Sequence, residues 1–341
     1  MTIHFVEPPP ALRVGGLDAA IRSLEAALHD QQIAVTSGNA SGAVAGDVVH
    51  FHGLWQPAHA RRSAELRRRG IPIVVSPHGM LEPWAWRHKW WKKWPYFWLV
   101  ESPHLRRAKC LLATAPQEER RIRDFLPQQT VRTLPLGFTA NAGPDYQAAR
   151  TRLGWLPQET VMLFLSRLHP KKGLDLLFTA LASIETPSDT RLVIVGGGDP
   201  AYIRSLRAFA DAHSAKLPHI DWIGQVWGDE RWPYFQGADL FCLPSHSENF
   251  GLAVLEACQV GTPVLTTTTT PWAEWLHGDS AYIAEPEASS IASHLQQFFQ
   301  EPKIDDAQRS ALAQAVHRDF SWSVLGPRYA ALYRELASTT S

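Results

Sequence analysis

Ser247-Glu248-Asn249-Phe250-Gly251-Leu252-Ala253-Val254-Leu255-Glu256 places two carboxylates eight positions apart with a glycine between them. Ahead of it, Ala238-Asp239-Leu240-Phe241-Cys242-Leu243-Pro244-Ser245 is a short apolar run stopped by proline, which predicts a buried strand. Behind it, Leu252, Leu255 and Glu256 recur at helical spacing. The expected unit is strand, polar loop, helix. Gly251 has no Cβ, so backbone and ligand can approach closely there. A helix starting at that point aims unpaired N–H groups and a partial positive charge forward, which suits a phosphate. Glu248 would lie in the loop and accept from hydroxyls. Glu256 would sit just over a turn into the helix, positioned for a ribose. On these residues alone, a plain strand-to-helix connection with two surface glutamates competes with this reading.

Five further stretches bear on the choice. The apolar run 161–165 leads into Ser166-Arg167-Leu168-His169-Pro170-Lys171-Lys172-Gly173-Leu174-Asp175. Fixed cations there can stabilise a leaving group that departs with extra negative charge. The β-branched run 71–76 ends in Pro77-His78-Gly79-Met80, and the carboxyl end of a parallel strand is where α/β ligand crevices lie. A strand at 3–6 is followed by Pro8-Pro9-Pro10 and Gly15-Gly16, then a helix at 17–29. A glycine pair at such a turn can bring amides near a diphosphate, although a flexible loop explains it as well. Asp47-Val48-Val49-His50-Phe51-His52-Gly53-Leu54-Trp55 sets His50 and His52 on one strand face; no third ligand is near in sequence, so they are read as lining residues rather than a metal site. Gly196-Gly197-Gly198-Asp199 suggests close backbone approach, but the Gly-x-Gly-x-x-Gly dinucleotide fingerprint is not met.

Together these stretches resemble the retaining nucleotide-sugar glycosyltransferases of the GT-B fold in the large family four. Glu-Asn-Phe-Gly-Leu-Ala-Val-Leu-Glu resembles the E-x7-E signature, and Ser-Arg-Leu-His-Pro-Lys-Lys-Gly the family's Gly/Ser-Arg-Leu-x-x-x-Lys-Gly. Leu134-Pro135-Leu136-Gly137-Phe138 resembles the inter-domain turn, with Leu136 where the family has Asn. The resemblance implies two Rossmann-like α/β domains, 1–140 on the acceptor side and 141–319 on the nucleotide-sugar side, facing across a cleft. It also implies a C-terminal helix, 320–341, that crosses back to the first domain; Ser321 would cap it, and Tyr329, Leu332, Tyr333 and Leu336 fit its spacing.

The implied site residues are as follows. Arg167 and Lys172 grip the donor diphosphate, helped by the backbone of Asn249, Phe250, Gly251 and Leu252 and from the other side by Gly15 and Gly16. Gly224 and Val226, in Ile220-Asp221-Trp222-Ile223-Gly224-Gln225-Val226, lie where the family holds the nucleobase, largely through backbone. Glu256 binds ribose, Glu248 holds sugar hydroxyls, and His78 contacts the transferred sugar. The implied reaction moves a sugar to a hydroxyl of a glycan or lipid-linked saccharide with retention, in exopolysaccharide or lipopolysaccharide assembly, and the departing phosphate takes the acceptor proton. The sequence contains no Asp-x-Asp, so no carboxylate-held metal is expected, and no cofactor beyond the donor itself. A nucleotide-sugar epimerase and a non-catalytic nucleotide-binding scaffold are the rivals. The first needs acid/base residues not located here; the intact Arg167, Lys172, Glu248 and Glu256 set opposes the second.

Composition refines the setting. Formal net charge is zero, yet residues 1–140 hold 18 Lys/Arg and 11 Asp/Glu, and the remainder 15 and 22. A basic half suits an anionic partner. Nucleic acid is not expected, since no recognisable module for it appears. Cys110, Cys242 and Cys258 are sparse and odd in number, which argues for a reducing compartment and packing roles. No signal-peptide pattern and no run long enough to span a bilayer is seen, so the expected location is cytoplasmic, with peripheral binding to the inner face of the membrane. The segment that suggests such binding is Trp84-Ala85-Trp86-Arg87-His88-Lys89-Trp90-Trp91-Lys92-Lys93-Trp94-Pro95-Tyr96-Phe97-Trp98. On a helix, Trp90, Trp91, Trp94 and Trp98 cluster opposite Lys89, Lys92 and Lys93, a membrane-interface composition. A core-facing aromatic stripe with a solvated basic face is the competing reading. Pro95 predicts two helical pieces or a kink. The threonine run 266–270 is expected to supply loop amides and hydroxyls.

Overall fold

A computed structural model describes residues 1–9, 16–83, 86, 90–139, 143–276, 278 and 281–338. The chain forms two compact units: Met1–Thr139 with Asp319–Ser341, and Ala140–Arg318.

The first unit is built on six parallel strands, β1 (Thr2–Val6), β2 (Ala34–Ser37), β3 (Val48–His52), β4 (Ile73–Ser76), β5 (Cys110–Ala113) and β6 (Val131–Thr133), in the order β2-β1-β3-β4-β5-β6. Side chains alternate across this sheet, so each face acquires its own core. Ile3, Phe5, Val48, Val74, Cys110 and Leu112 face one layer. Val6, Val49, Phe51, Ile73, Val75 and Leu111 face the other. Burial on both sides explains why the central strands β4 and β5 read as nearly unbroken apolar runs.

On the first face lie the helices Gly16–Asp30 and Trp322–Ser338. The expected return of the C-terminal helix is therefore found: Trp322, Leu325, Tyr329, Tyr333 and Leu336 pack with Ile21, Leu24 and Leu28. Ser321 stands just ahead of this helix, its hydroxyl 2.8 Å from that of Ser323. The Tyr329 hydroxyl donates to the carbonyls of Leu134 (3.0 Å) and Pro135 (3.2 Å). Gly137 is required by the same packing, since a Cβ there would lie 2.6 Å from the Trp322 ring. The inter-domain turn thus needs its glycine for a side chain met far along the chain.

On the second face, the aromatic segment runs as a helix Trp90–Tyr96, a π-helical turn Phe97–Glu101 and a helix Ser102–Arg107. The segment is not one smooth α-helix, and Pro95 lies within the first of its pieces. The helix passes over it and the hydrogen-bond spacing then widens, the Ser102 amide donating to Phe97 O, five residues back. Proline lacks the N–H of an α-helical bond, and a π-turn absorbs the mismatch. Trp86 and Phe97 pack inward, each with its ring centroid 5.2 Å from that of Phe125. Trp90, Trp91, Trp94 and Trp98 are 61%, 61%, 55% and 40% exposed, and Leu99 is 77% exposed. The core-stripe reading fails for these four tryptophans, because Trp86 and Phe97 already fill the inner layer. Lys89 lies outside the described residues; Lys92 Nζ sits 4.8 Å from the centre of the Trp91 ring.

The second unit repeats the plan with β7 (Thr160–Leu165), β8 (Thr190–Val195), β9 (His219–Gly224), β10 (Leu240–Leu243), β11 (Val264–Thr267) and β12 (Ala281–Ala284), ordered β12-β11-β10-β7-β8-β9. The chain lays β8 and β9 on one side of β7, then returns to lay β10 on the other. β7 and β10 therefore flank the topological switch point, where α/β sheets open a crevice at their carboxyl ends. The opposite ends of these strands are clamped by a buried charge cluster. Asp239 accepts from Arg150 (3.1 Å), Tyr146 (2.7 Å), Lys303 (3.2 Å) and the Val161 amide (2.8 Å). All three cysteines are buried and free; burial pushes the Cys110 thiol up to about 11.

Candidate active site

Two loops meet at the switch point of the second unit, residues 166–173 after β7 and 244–251 after β10. Gly173 makes the meeting sterically possible. Its φ is +71°, and a Cβ there would lie 2.0 Å from Pro244 O. The His246 amide donates across to Lys171 O at 2.9 Å. Lys172 Nζ consequently lies 2.5 Å from Glu248 Oε1, which also accepts from Ser245 Oγ at 2.7 Å. Glu248 is buried and Lys172 half-buried. The two residues are thus each other's partner, an ion pair that the separate motifs did not announce.

The threonine run supports this pair from β11. Thr267 and Thr269 both donate to Ser245 O, at 2.5 and 2.9 Å, and Thr266 donates to Leu243 O at 3.0 Å. The run does supply loop hydroxyls, and they hold the backbone that carries Glu248.

Gly251 caps the helix Leu252–Gln259 at φ +80°. The Trp272 indole N–H donates to Phe250 O, and the Phe250 ring is buried against Trp272 with centroids 5.4 Å apart. Phe250 can therefore offer a ligand only its backbone. Asn249 is half-buried beside it. The amides of Leu252 and Ala253 precede the first helical acceptor and emerge at the helix end.

Arg167 is exposed at the end of β7. Its loop is braced by the three glycines after β8. A Cβ on Gly196 would lie 1.9 Å from Ser166 O and one on Gly198 1.9 Å from Leu168 O, while the Leu168 amide donates to Gly197 O at 2.8 Å. The close approach inferred from these glycines is thus to protein backbone. Gly224 ends β9 at φ +85° with its carbonyl accepting from the Gly196 amide at 2.7 Å, and Val226 is half-buried just beyond. Every second-unit site residue accordingly stands at the carboxyl edge of one sheet.

Glu256 lies one turn into its helix, half-buried, with Oε1 3.0 Å from Arg231 Nη2. Burial pushes its carboxyl above the usual range, and the Arg231 guanidinium opposes the shift. Arg231 escaped the sequence reading because Gly228-Asp229-Glu230-Arg231 has the look of a solvated turn.

The first unit carries its own cluster at the ends of β3 and β4. His78 has φ +52°, and its Nε2 lies 3.0 Å from His52 Nδ1. Burial lowers the His78 imidazole to about 4, so it is neutral at physiological pH. His50 and His52 do share a face, their rings 4.0 Å apart. His50 is held by the Tyr333 hydroxyl at 2.8 Å and Ser76 Oγ at 2.7 Å. Buried Glu118, another residue without a sequence signal, accepts from the amides of Gly79 (2.6 Å) and Thr114 (2.8 Å) and so fixes the His78 loop to the end of β5. His78 supplies the third histidine that was not evident in sequence, yet among the described residues no set of three His, Cys, Asp or Glu is arranged to hold a metal. Gly16 opens the helix of this unit and is exposed; Gly15 lies outside the described residues.

Two doubly wound parallel-sheet units, the first completed by the C-terminal helix, constitute the GT-B architecture. Residues 145–315 match the family model described as glycosyl transferases group 1, and residues 3–137 match a glycosyl transferase 4-like domain. The chain belongs to the group 1 glycosyl transferases. It is 29% identical over 185 residues to phosphatidyl-myo-inositol mannosyltransferase of Mycobacterium leprae, a match covering 53% of this chain and 48% of that protein. The chain thus spans about half the length of the curated relatives it matches. In fold it is similar to sucrose-phosphate synthase from Thermosynechococcus elongatus, with a TM-score of 0.79 at 19% identity over 99% of this chain and 100% of that one. It is also similar to Anabaena HepE in complex with UDP, with a TM-score of 0.78 at 17% identity over 97% and 99% of the two chains.

Proposed function

We propose that this chain transfers a sugar from a nucleotide diphosphate sugar to a hydroxyl of a glycan or lipid-linked saccharide, with retention at the anomeric carbon, in exopolysaccharide or lipopolysaccharide assembly. The observation that carries the reading is the meeting of Lys172, Glu248 and the Gly251-capped helix end at the switch point of the second unit. An ammonium group, an exposed Arg167 and a row of amides offer what a departing diphosphate requires. Glu248, held by Ser245, presents acceptor oxygen to sugar hydroxyls, and Glu256 does the same for the ribose. His78, kept neutral by burial, offers one donor and one acceptor to the sugar and acceptor side. UDP in the complexed Anabaena protein of the same fold supports a nucleoside diphosphate as the leaving group. Since the diphosphate charge meets Arg167, Lys172 and the helix dipole, turnover proceeds without a divalent metal, and the departing phosphate takes the acceptor proton.

The exposed tryptophans, with Lys92 beside them, support a peripheral seat on the anionic inner face of a membrane. Among the described residues no helix is long and apolar enough to cross one.

The test is incubation with UDP-, GDP- and ADP-sugars in EDTA, following release of nucleoside diphosphate and the anomer of the freed or transferred sugar by NMR. Slow release with retained configuration is expected. Release from none of the donors, an inverted anomer, or activity only on adding magnesium would each overturn the corresponding part of the reading. An epimerised nucleotide sugar as the product would replace transfer with isomerisation.

A further inference from the structure

Arg231 has no part in the roles assigned above, yet its position is built with care. Its Nη1 donates to Gly228 O at 2.5 Å, and its guanidinium carbon lies 4.5 Å from the centre of the Trp232 ring. Trp232 is itself buried, with its indole N–H donating to Asp229 Oδ1 at 3.3 Å. The guanidinium is therefore fastened by its own turn, and its Nη2 reaches Glu256 Oε1 at 3.0 Å as a preset partner. Its Nε is buried with no acceptor among the described residues. Glu256 stands on the helix Leu252–Gln259. The elements packed closest against its helix are β10, β11 and the helix Trp232–Gly237, which bring Cys242 and Tyr234 as titratable side chains and no ionised group. Cys258, on the helix of Glu256 itself, is a buried thiol.

We propose that Arg231 is a specificity-determining residue of the donor site: it keeps the Glu256 carboxylate ionised and oriented, so that nucleotide binding depends on both ribose hydroxyls. This rests on the reading of Glu256 as the ribose partner. The chemistry is that of a vicinal diol, which presents two O–H donors. A carboxylate accepts both, whereas a carboxylic acid sets its own donor against one of them. Burial disfavours the charged form, and a guanidinium within hydrogen-bond reach restores it. Arginine suits this role better than lysine, since its planar fork can hold Gly228 O and Glu256 together in one fixed geometry. Arg231 acts through Glu256 and is thus a positioning residue.

The experiment measures the affinity of UDP, GDP and ADP for the full chain by calorimetry from pH 5 to 8. The tightest binder is then compared with its 2′-deoxy counterpart. Wild type is expected to prefer the ribonucleotide throughout most of this range. In Arg231→Gln, the pH below which that preference disappears should move up by roughly one to three units, as loss of a close opposite charge implies. Arg231→Lys should return part of the shift, a rescue that a merely structural role would not give. Melting temperature is followed alongside, and the ratio of the two affinities is read only from folded protein. If Arg231→Gln keeps the wild-type ratio at every pH, the role of Arg231 is overturned while the donor site stands. If wild type binds a nucleoside diphosphate without regard to the 2′-hydroxyl, the ribose role of Glu256 falls and the role of Arg231 with it. If wild type binds none of the three, the nucleotide reading itself is lost.

Discussion

Lys172 meets an incoming diphosphate already paired with Glu248, while Arg167 meets it from solvent. The two cations should therefore fail differently when removed. Lys172→Ala and Arg167→Ala should each lower turnover by about two orders of magnitude or more, as loss of a transition-state charge partner does. Lys172→Ala should also lower stability by roughly 1–3 kcal/mol, because Glu248 is left buried without its cation. Arg167→Ala should melt near wild type. Initial rates with the identified donor and thermal denaturation of both variants check this; equal melting of the two would mean the ion pair contributes nothing to the fold. At this scale the sequence told much, because Arg167, Lys172, Glu248 and Glu256 sit in contiguous motifs whose spacing has a physical meaning. Arg231 and Glu118 were illegible for the converse reason. Each acts on a group far away in sequence, across 25 positions to Glu256 and 39 to Gly79, and nothing local marks that partnership.

At the scale of elements, a helical period showed that the tryptophans form a stripe but not which layer covers it. That depends on what else fills the inner space, and Trp86 and Phe97 against Phe125 do so. The stripe left outside pairs large apolar rings with Lys92, while Lys93 at its margin turns its Nζ over the Trp55 ring at 5.6 Å; the combination suits acidic lipid. Wild type should co-sediment with anionic vesicles more than with neutral ones, and less as salt is raised. The double variant Lys92→Glu/Lys93→Glu should lose most of that preference. Equal pelleting of the two proteins, or no preference for acidic lipid, would leave the exposed tryptophans without a membrane role. Helix-breaking rules pointed to an interruption near Pro95; the chain stays helical through it and the hydrogen-bond period changes just after it, at Phe97–Glu101.

For the molecule as a whole, the two units should respond unequally to acid. In the first, burial holds His50 well below its ordinary value, His59 and His78 at about 4, and His104 at about 3. Between these values and the unfolded value of about 6.5, the folded unit binds fewer protons than the unfolded chain. The stability they confer is thus present above about pH 6.5 and is lost as pH falls toward about 4. Glu101, raised by burial to about 7, and Glu118, also raised by burial, act in the opposite sense, favouring the fold as pH falls, but they are two groups against four. Hydrogen exchange at pH 7.5 and 5, corrected for intrinsic rates, should show protection falling first in peptides of Met1–Thr139. Unchanged protection there at pH 5 would contradict the buried neutral histidines.

The core of the first unit is assembled from stretches that lie on either side of the second unit in sequence. Ile21, Leu24 and Leu28 precede that unit, whereas Trp322, Leu325, Tyr329 and Tyr333 follow it and are translated after it. While a ribosome makes the intervening second unit, which has a sheet of its own, the first sheet must wait with one apolar face covered only by the helix Gly16–Asp30. The His50 and Gly137 positions, which need Tyr333 and Trp322, can be completed only once those later residues have been made. Nascent chains of this protein therefore pass through a long interval in which the later-made unit can be finished and the earlier one cannot, an interval suited to chaperone capture and prone to aggregation.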